Sequence, residues 1–144
     1  MKFVICLTLI LIFNSCDFLE SMKDWDPQPS MITFNVYSQD NDAFREIRIY
    51  GKELKNGTIT PFDSTIFNAI NWNGTEETFP KGRGYGLAFF ADSLIEIQNG
   101  SFEAVAVRKD FSLVRTDFGR ITAGKTHEDF RIVLTTNGIL VEEI

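Results

Sequence analysis

The sequence predicts an all-β protein: a single antiparallel β-sandwich, of immunoglobulin-like or transthyretin-like type, behind a short apolar leader and a tether. Three observations carry the prediction. Apolar and polar residues alternate from Met31 onward, with Ile32, Phe34 and Val36 set against Thr33, Asn35 and Tyr37, which is the period of a half-buried strand. The dipeptide Asn-Gly recurs four times, at Asn56-Gly57, Asn73-Gly74, Asn99-Gly100 and Asn137-Gly138. Each is a hairpin signal, because a type I′ turn needs positive φ at both central positions, which asparagine tolerates and glycine adopts freely. Phenylalanine occurs 14 times and is spread along the chain rather than gathered in one stripe, as expected of a core supplied by many strands.

Taken in order, Met1 to Cys16 reads MKFVICLTLILIFNSC, with one cation at Lys2, an apolar run from Phe3 to Phe13, then Asn14, Ser15 and a cysteine. The run is shorter than the roughly 20 residues of a membrane-spanning helix and fits the apolar centre of a cleaved secretion signal. Ordinary signal cleavage wants small residues at the first and third positions before the cut, and Phe13 occupies the third. Phe13-Asn14-Ser15-Cys16 resembles the lipobox of bacterial lipoproteins. The resemblance implies that residues 1–15 are removed and that Cys16 becomes a lipid-bearing amino terminus. Cys6 is then discarded and Cys16 consumed, which closes disulfide and thiol chemistry. At about 0.8 kcal/mol per buried methylene, two or three acyl chains make such an anchor essentially permanent. The expected location is the bacterial outer membrane or cell surface, with the periplasmic face of the inner membrane as the alternative.

Residues 16–30 read as the lipidated cysteine and a flexible tether, since Asp17 to Ser30 mixes acids with Pro27 and Pro29 and shows no sustained period. Trp25 within it either docks on the domain, sits at a lipid interface or is idle. Residues 31–144 form the sandwich domain. After the strand at Met31, Gln39 to Asp42 reads as a solvated turn; it lacks the spacing, glycine and distal glutamate of a calcium loop. A second strand places Ile47 and Ile49 inward and Glu46, Arg48 and Tyr50 outward. Pro61 to Asn71 fits either a short helix capped by Asp63 or Ser64, or an irregular strand. Phe79 to Gly86 is a glycine-spaced basic loop, followed by a buried strand from Tyr85 to Ala91. Two hairpins are then expected, Leu94–Ile97 against Phe102–Val107 and Ile132–Leu134 against Ile139–Val141. A two-residue turn at Asn99-Gly100 sets Glu96 opposite Glu103, so a bulge or an intervening water is expected there.

The chain carries a formal charge of −6, one unit more negative once the leader and its lysine are gone, and no basic cluster. Nucleic acid is excluded as a partner on that footing. Gly119 to Thr126 spells GxxxxGKT in full, yet a phosphate-binding loop must lead into a helix, and here His127-Glu128-Asp129 precede the strand Phe130 to Leu134. No nucleotide and no other cofactor is expected. His127 is the single histidine, so no multi-histidine metal site is expected. No Gly-x-Ser-x-Gly elbow occurs. Glu76-Glu77, Glu96 and Glu103 are the carboxylates open to acid–base work, although adjacent acids in a strand point to opposite faces.

Gly100 to Val107, then Ile121 to Thr126 with Phe130 to Leu134, resemble the last strands of carboxypeptidase regulatory-like domains, a family of small transthyretin-like sandwiches. The resemblance implies a noncatalytic domain. The binding candidates are Trp72 with Lys81, Arg83 and Tyr85 of the glycine-spaced loop: aromatics stack on sugar faces or peptide, and cations capture acidic groups. The expected function is therefore that of a membrane-anchored, noncatalytic module for a carbohydrate, a peptide or a partner envelope protein. An inhibitor or immunity lipoprotein that neutralises a secreted toxin is the alternative, and a hydrolase comes third.

Overall fold

Alternation of apolar side chains makes strands that bury one face, and two such faces must meet. In the computed structural model, which describes residues 30–70, 74, 75 and 77–144, they do so as two four-stranded sheets. The strands are β1 (Met31–Ser38), β2 (Phe44–Lys55), β3 (Thr58–Asn68), β4 (Gly84–Phe90), β5 (Asn99–Arg108), β6 (Leu113–Thr122), β7 (Asp129–Thr135) and β8 (Gly138–Glu143). Sheet I has the order β4-β1-β7-β8 and sheet II the order β3-β2-β5-β6. Every pairing is antiparallel except β1 with β7, which runs parallel with Phe34 level with Phe130. The immunoglobulin order places the first, second, fifth and fourth strands in one sheet and three in the other; the four-plus-four order here differs. The expected Cys16 anchor, Trp25 and Trp72 lie outside the described residues.

Phe34 is fully buried at the centre of the interface. Its ring meets Phe89 at 5.3 Å and Phe130 at 5.6 Å within sheet I, and Phe102 at 5.2 Å and Phe118 at 5.9 Å from sheet II. Three of these contacts are edge-to-face, the arrangement the ring quadrupole favours. A second cluster, Phe67, Phe79 and Tyr85, closes the flank where β3 meets β4. The spread of phenylalanines along the sequence is thus the inner surface of both sheets, with Phe90 and Phe111 as exposed exceptions.

The Asn-Gly signals resolve differently from one another. Asn56 and Gly57 both take positive φ (53° and 77°) between Lys55 and Thr58, which pair, so this is the expected two-residue turn. At the last site the hairpin forms, but Thr135 pairs with Gly138, and the turn falls one residue early on Thr136-Asn137. Asn73 lies outside the described residues. The hairpin expected at Asn99-Gly100 does not form. Ala91–Leu94 is a 3₁₀ turn, and of the segment read as a strand only Leu94 and Ile97 are buried, three residues apart, while Ile95 and Glu96 face solvent. Those two side chains plug the end of the sandwich with a helical spacing. Asn99-Gly100 instead opens β5, with Gly100 level with both Glu53 and Ile121. Consequently Glu96 never faces Glu103. The ambiguous stretch from Pro61 is strand, the second half of β3.

Gly119 is bulged out of register in β6, because Phe118 pairs with Phe102 while Arg120 pairs with Ser101. Its φ is +57°, and a Cβ there would lie 2.9 Å from Phe130 Cζ and 3.0 Å from Phe102 Cδ2. Gly119→Ala is therefore expected to cost about 2–4 kcal/mol in urea unfolding, from overpacking and backbone strain together. Gly57→Ala, whose Cβ would meet nothing within 4 Å, should cost only about 1 kcal/mol. Equal losses for the two would contradict this packing.

Candidate functional site

The glycine-spaced loop is built as a clamp on its neighbours. Phe79 N–H donates to Phe44 O at 2.7 Å, Lys81 N–H to Asn41 Oδ1 at 2.9 Å, and Gly82 N–H to Ser38 O at 2.9 Å. Asp42 accepts from Thr78 Oγ1 at 2.6 Å and Asp40 from Thr136 N–H at 2.7 Å. The two aspartates of the Gln39–Asp42 turn thus serve as acceptors for adjoining loops. Of the four residues expected to bind a ligand, the structure brings Arg83 and Tyr85 together, with the guanidinium 5.7 Å from the ring centroid. Tyr85 is half-buried, 4.5 Å from Phe67 and 5.1 Å from Phe79. Burial pushes its phenol above the usual tyrosine range; the Arg83 charge pulls it down and Glu77 pushes it up further. Tyr85 is thereby part of the wall, while Lys81 and Arg83 stand exposed on the turn before it.

A larger concavity lies elsewhere, on the outer face of sheet II. Register decides its composition. Ile66, Arg48, Val105 and Arg115 form one rung across the four strands, and Ser64, Tyr50, Glu103 and Asp117 form the next. The groove between them has a volume of about 760 Å³, within the roughly 300–1,000 Å³ of small-ligand sites. Its apolar lining includes Val105, Val107, Leu113, Ile59 and Pro61. Val105 points away from the core yet is only 4 % exposed, whereas Leu113 and Ile59 at the edges are largely open.

The second rung sets Glu103 directly opposite Asp117, a like-charge pair that is unfavourable by itself. Lys52 resolves it. Its Nζ lies 2.9 Å from Glu103 Oε2 and 3.1 Å from Asp117 Oδ1, while Arg115 approaches Glu103 at 3.6 Å. Arg48 pairs with Glu46. Partial burial alone would lower the Lys52 pKa, but its two carboxylate partners outweigh that, and the net shift is upward. Lys52 accordingly stays an ammonium at neutral pH and carries no lone pair for nucleophilic chemistry. Among the described residues, no group of three or more histidine, cysteine, aspartate or glutamate side chains is placed to hold a metal ion.

Sequence reasoning missed this groove because its residues come from four strands spanning Arg48 to Arg115. One signal was present. In β5, Phe102, Ala104 and Ala106 face inward and Val105 and Val107 outward, so the strand is apolar on both faces, as expected of a central strand whose outer side is covered.

Substituting Lys52→Met removes the cation between Glu103 and Asp117 and is expected to cost about 1 kcal/mol at pH 7 in urea unfolding. Because the folded-state pKa of Lys52 is raised, its contribution is complete below the unfolded value of 10.5 and is lost as pH rises through the folded value. The difference between the two proteins should therefore shrink above about pH 10.5. A difference that stays constant into that range would mean that Lys52 acts only by packing.

No family model and no curated protein matches the chain. Among solved structures, it is similar to an NMR structure of a protein from Eubacterium rectale at 9 % identity, covering 79 % of this chain and 88 % of that one with a TM-score of 0.36. It is also similar to a structure titled "Trapped Toxin", at 13 % identity and a TM-score of 0.36, covering 81 % of this chain. The chain spans only 23 % of that second protein. At this level neither likeness bears on function.

Proposed function

We propose that the protein is a noncatalytic binding module, held to a bacterial membrane by a lipid on Cys16, and that the outer face of sheet II is its binding surface. One observation carries this: the groove of about 760 Å³ is lined by three cations, Arg48, Lys52 and Arg115, against one carboxylate, Glu103. The whole chain meanwhile carries a charge of −6. An acidic protein that gathers positive charge over an apolar floor is built to receive something. Within this reading the module serves an envelope or surface process, taking a carbohydrate, a peptide or a partner protein. Lys81 and Arg83 on the opposite sheet are the lesser candidate site. An inhibitor of a basic secreted toxin is the second reading; the acidic surface outside the groove favours it.

Both parts are testable in the detergent-solubilised full chain. Cys16→Ala should abolish incorporation of labelled palmitate and move the protein out of the membrane fraction; unchanged labelling would end the anchor proposal. In envelope pull-downs and on glycan arrays, Leu113→Asp and Arg115→Gln should weaken retention about tenfold or more, equivalent to roughly 1.4 kcal/mol. Arg83→Gln should leave it unchanged. The reverse pattern would transfer the site to the loop, and hydrolysis lost on Glu103→Gln would overturn the noncatalytic assignment.

A further inference from the structure

We infer that the groove on sheet II takes a small amphiphilic organic acid, with its carboxylate between Arg48 and Arg115 and its apolar body over Val105, Val107 and Leu113. This rests on the reading of that groove as the binding surface and adds the chemistry of its occupant. Arg48, Val105 and Arg115 share one rung on adjacent strands β2, β5 and β6. At about 4.8 Å between strands, the two arginine backbones stand roughly 10 Å apart, within joint reach of a single carboxylate. Arg115 is the less committed of the two, being 57 % exposed and held only by the 3.6 Å approach to Glu103. Next to the pair, Val107 and Leu113 face each other on the following rung, and Leu113 is 51 % exposed.

The composition selects against a neutral glycan. A sugar needs a hydrogen-bond partner for many hydroxyls and gains most from a flat aromatic platform. Here the groove's ionic groups already bond to one another, Lys52 to Glu103 and Asp117 and Arg48 to Glu46, and the floor is aliphatic. An aliphatic floor rewards apolar area without regard to direction. A guanidinium pair rewards a single planar anion. Net positive charge in the lining excludes a cationic head.

The test uses residues 30–144, which contain every residue of the described core, at ligand concentrations below micelle formation. Three ligands share a ten-carbon tail and differ in head group: decanoate, decanol and decyltrimethylammonium. Amide shifts in ¹H–¹⁵N spectra locate each, and titration gives its affinity. Decanoate should shift β2, β5 and β6 around Val105, bind about tenfold tighter than decyltrimethylammonium, and weaken as salt rises. Arg115→Gln should cost decanoate about fivefold while changing decanol less than about twofold. The retained decanol binding and dispersed spectrum show that the variant is folded. Equal affinity for the three heads would overturn the carboxylate assignment and leave the groove as a binding surface. Binding of a neutral oligosaccharide there, or of anionic vesicles in place of monomeric decanoate, would do the same. Decanoate shifts confined to Lys81, Arg83 and Tyr85, with none near Val105, would overturn both this inference and the reading on which it rests.

Discussion

The contact on which the rest of the structure depends is the ring of phenylalanines around Phe34. A sandwich is only as specific as the fit between its two inner faces. Phe34 lies on β1, at the middle of sheet I, and touches rings from β4 and β7 in its own sheet and from β5 and β6 across the gap. Its level match with Phe130 also holds the register of the one parallel pair. Parallel strands have no tight turn to set their register, so side-chain packing must do it. The chain between β1 and β7 runs through all of sheet II, and the aromatic cluster is where those distant segments are brought into alignment.

A register decided inside also decides what stands outside, since a strand shows alternate residues to each face. With Phe102, Ala104 and Ala106 turned inward, Glu103, Val105 and Val107 have no choice but to face out beside β2 and β6. The meeting of Glu103 and Asp117 follows from this and not from any attraction between them. Lys52 makes the arrangement tolerable by lying between the two carboxylates. The bulge at Gly119 allows β6 to keep Phe118 on the core while Arg120 and Thr122 regain their pairing with β5. Core packing and groove chemistry are in this sense one constraint seen from two sides.

How much of this was legible in the sequence depended on range. Alternation along β1 and β2 was readable, because each residue's face is a local property of the strand. Asn56-Gly57 was readable for the same reason: both its turn and its partners lie within a few residues. Asn99-Gly100 misled because the dipeptide allows positive φ without requiring it, and what precedes it buries Leu94 and Ile97 at helical spacing. The resolving information lay in β2, where Glu53 takes Gly100 as its partner. The loop carrying Lys81, Arg83 and Tyr85 stood out because its composition is locally odd, and the structure assigns its backbone to clamping Ser38, Asn41 and Phe44. The groove did not stand out because no two of its strands contribute a recognisable motif. Only pairing of β2 with β5 and β6 places Arg48 and Arg115 on either side of Val105.

The ion pairs of that groove bear on selectivity as well as on stability. A charged group already held by a protein partner is oriented before a ligand arrives, so less side-chain entropy remains to be lost on binding. It also exacts a cost from any ligand too weak to replace that partner. Lys52, shared between two carboxylates, is expensive to recruit; Arg115, with a single distant partner, is not. The face therefore discriminates by position, with the side next to Leu113 open to an incoming anion and the side next to Lys52 closed. Across the rest of an acidic surface an anion is repelled, and the local excess of cations supplies the one place where approach is favoured. Affinity for such a ligand then rests on the apolar area of Val105, Val107 and Leu113, and its orientation on the two guanidinium groups that the Phe34 cluster holds in register.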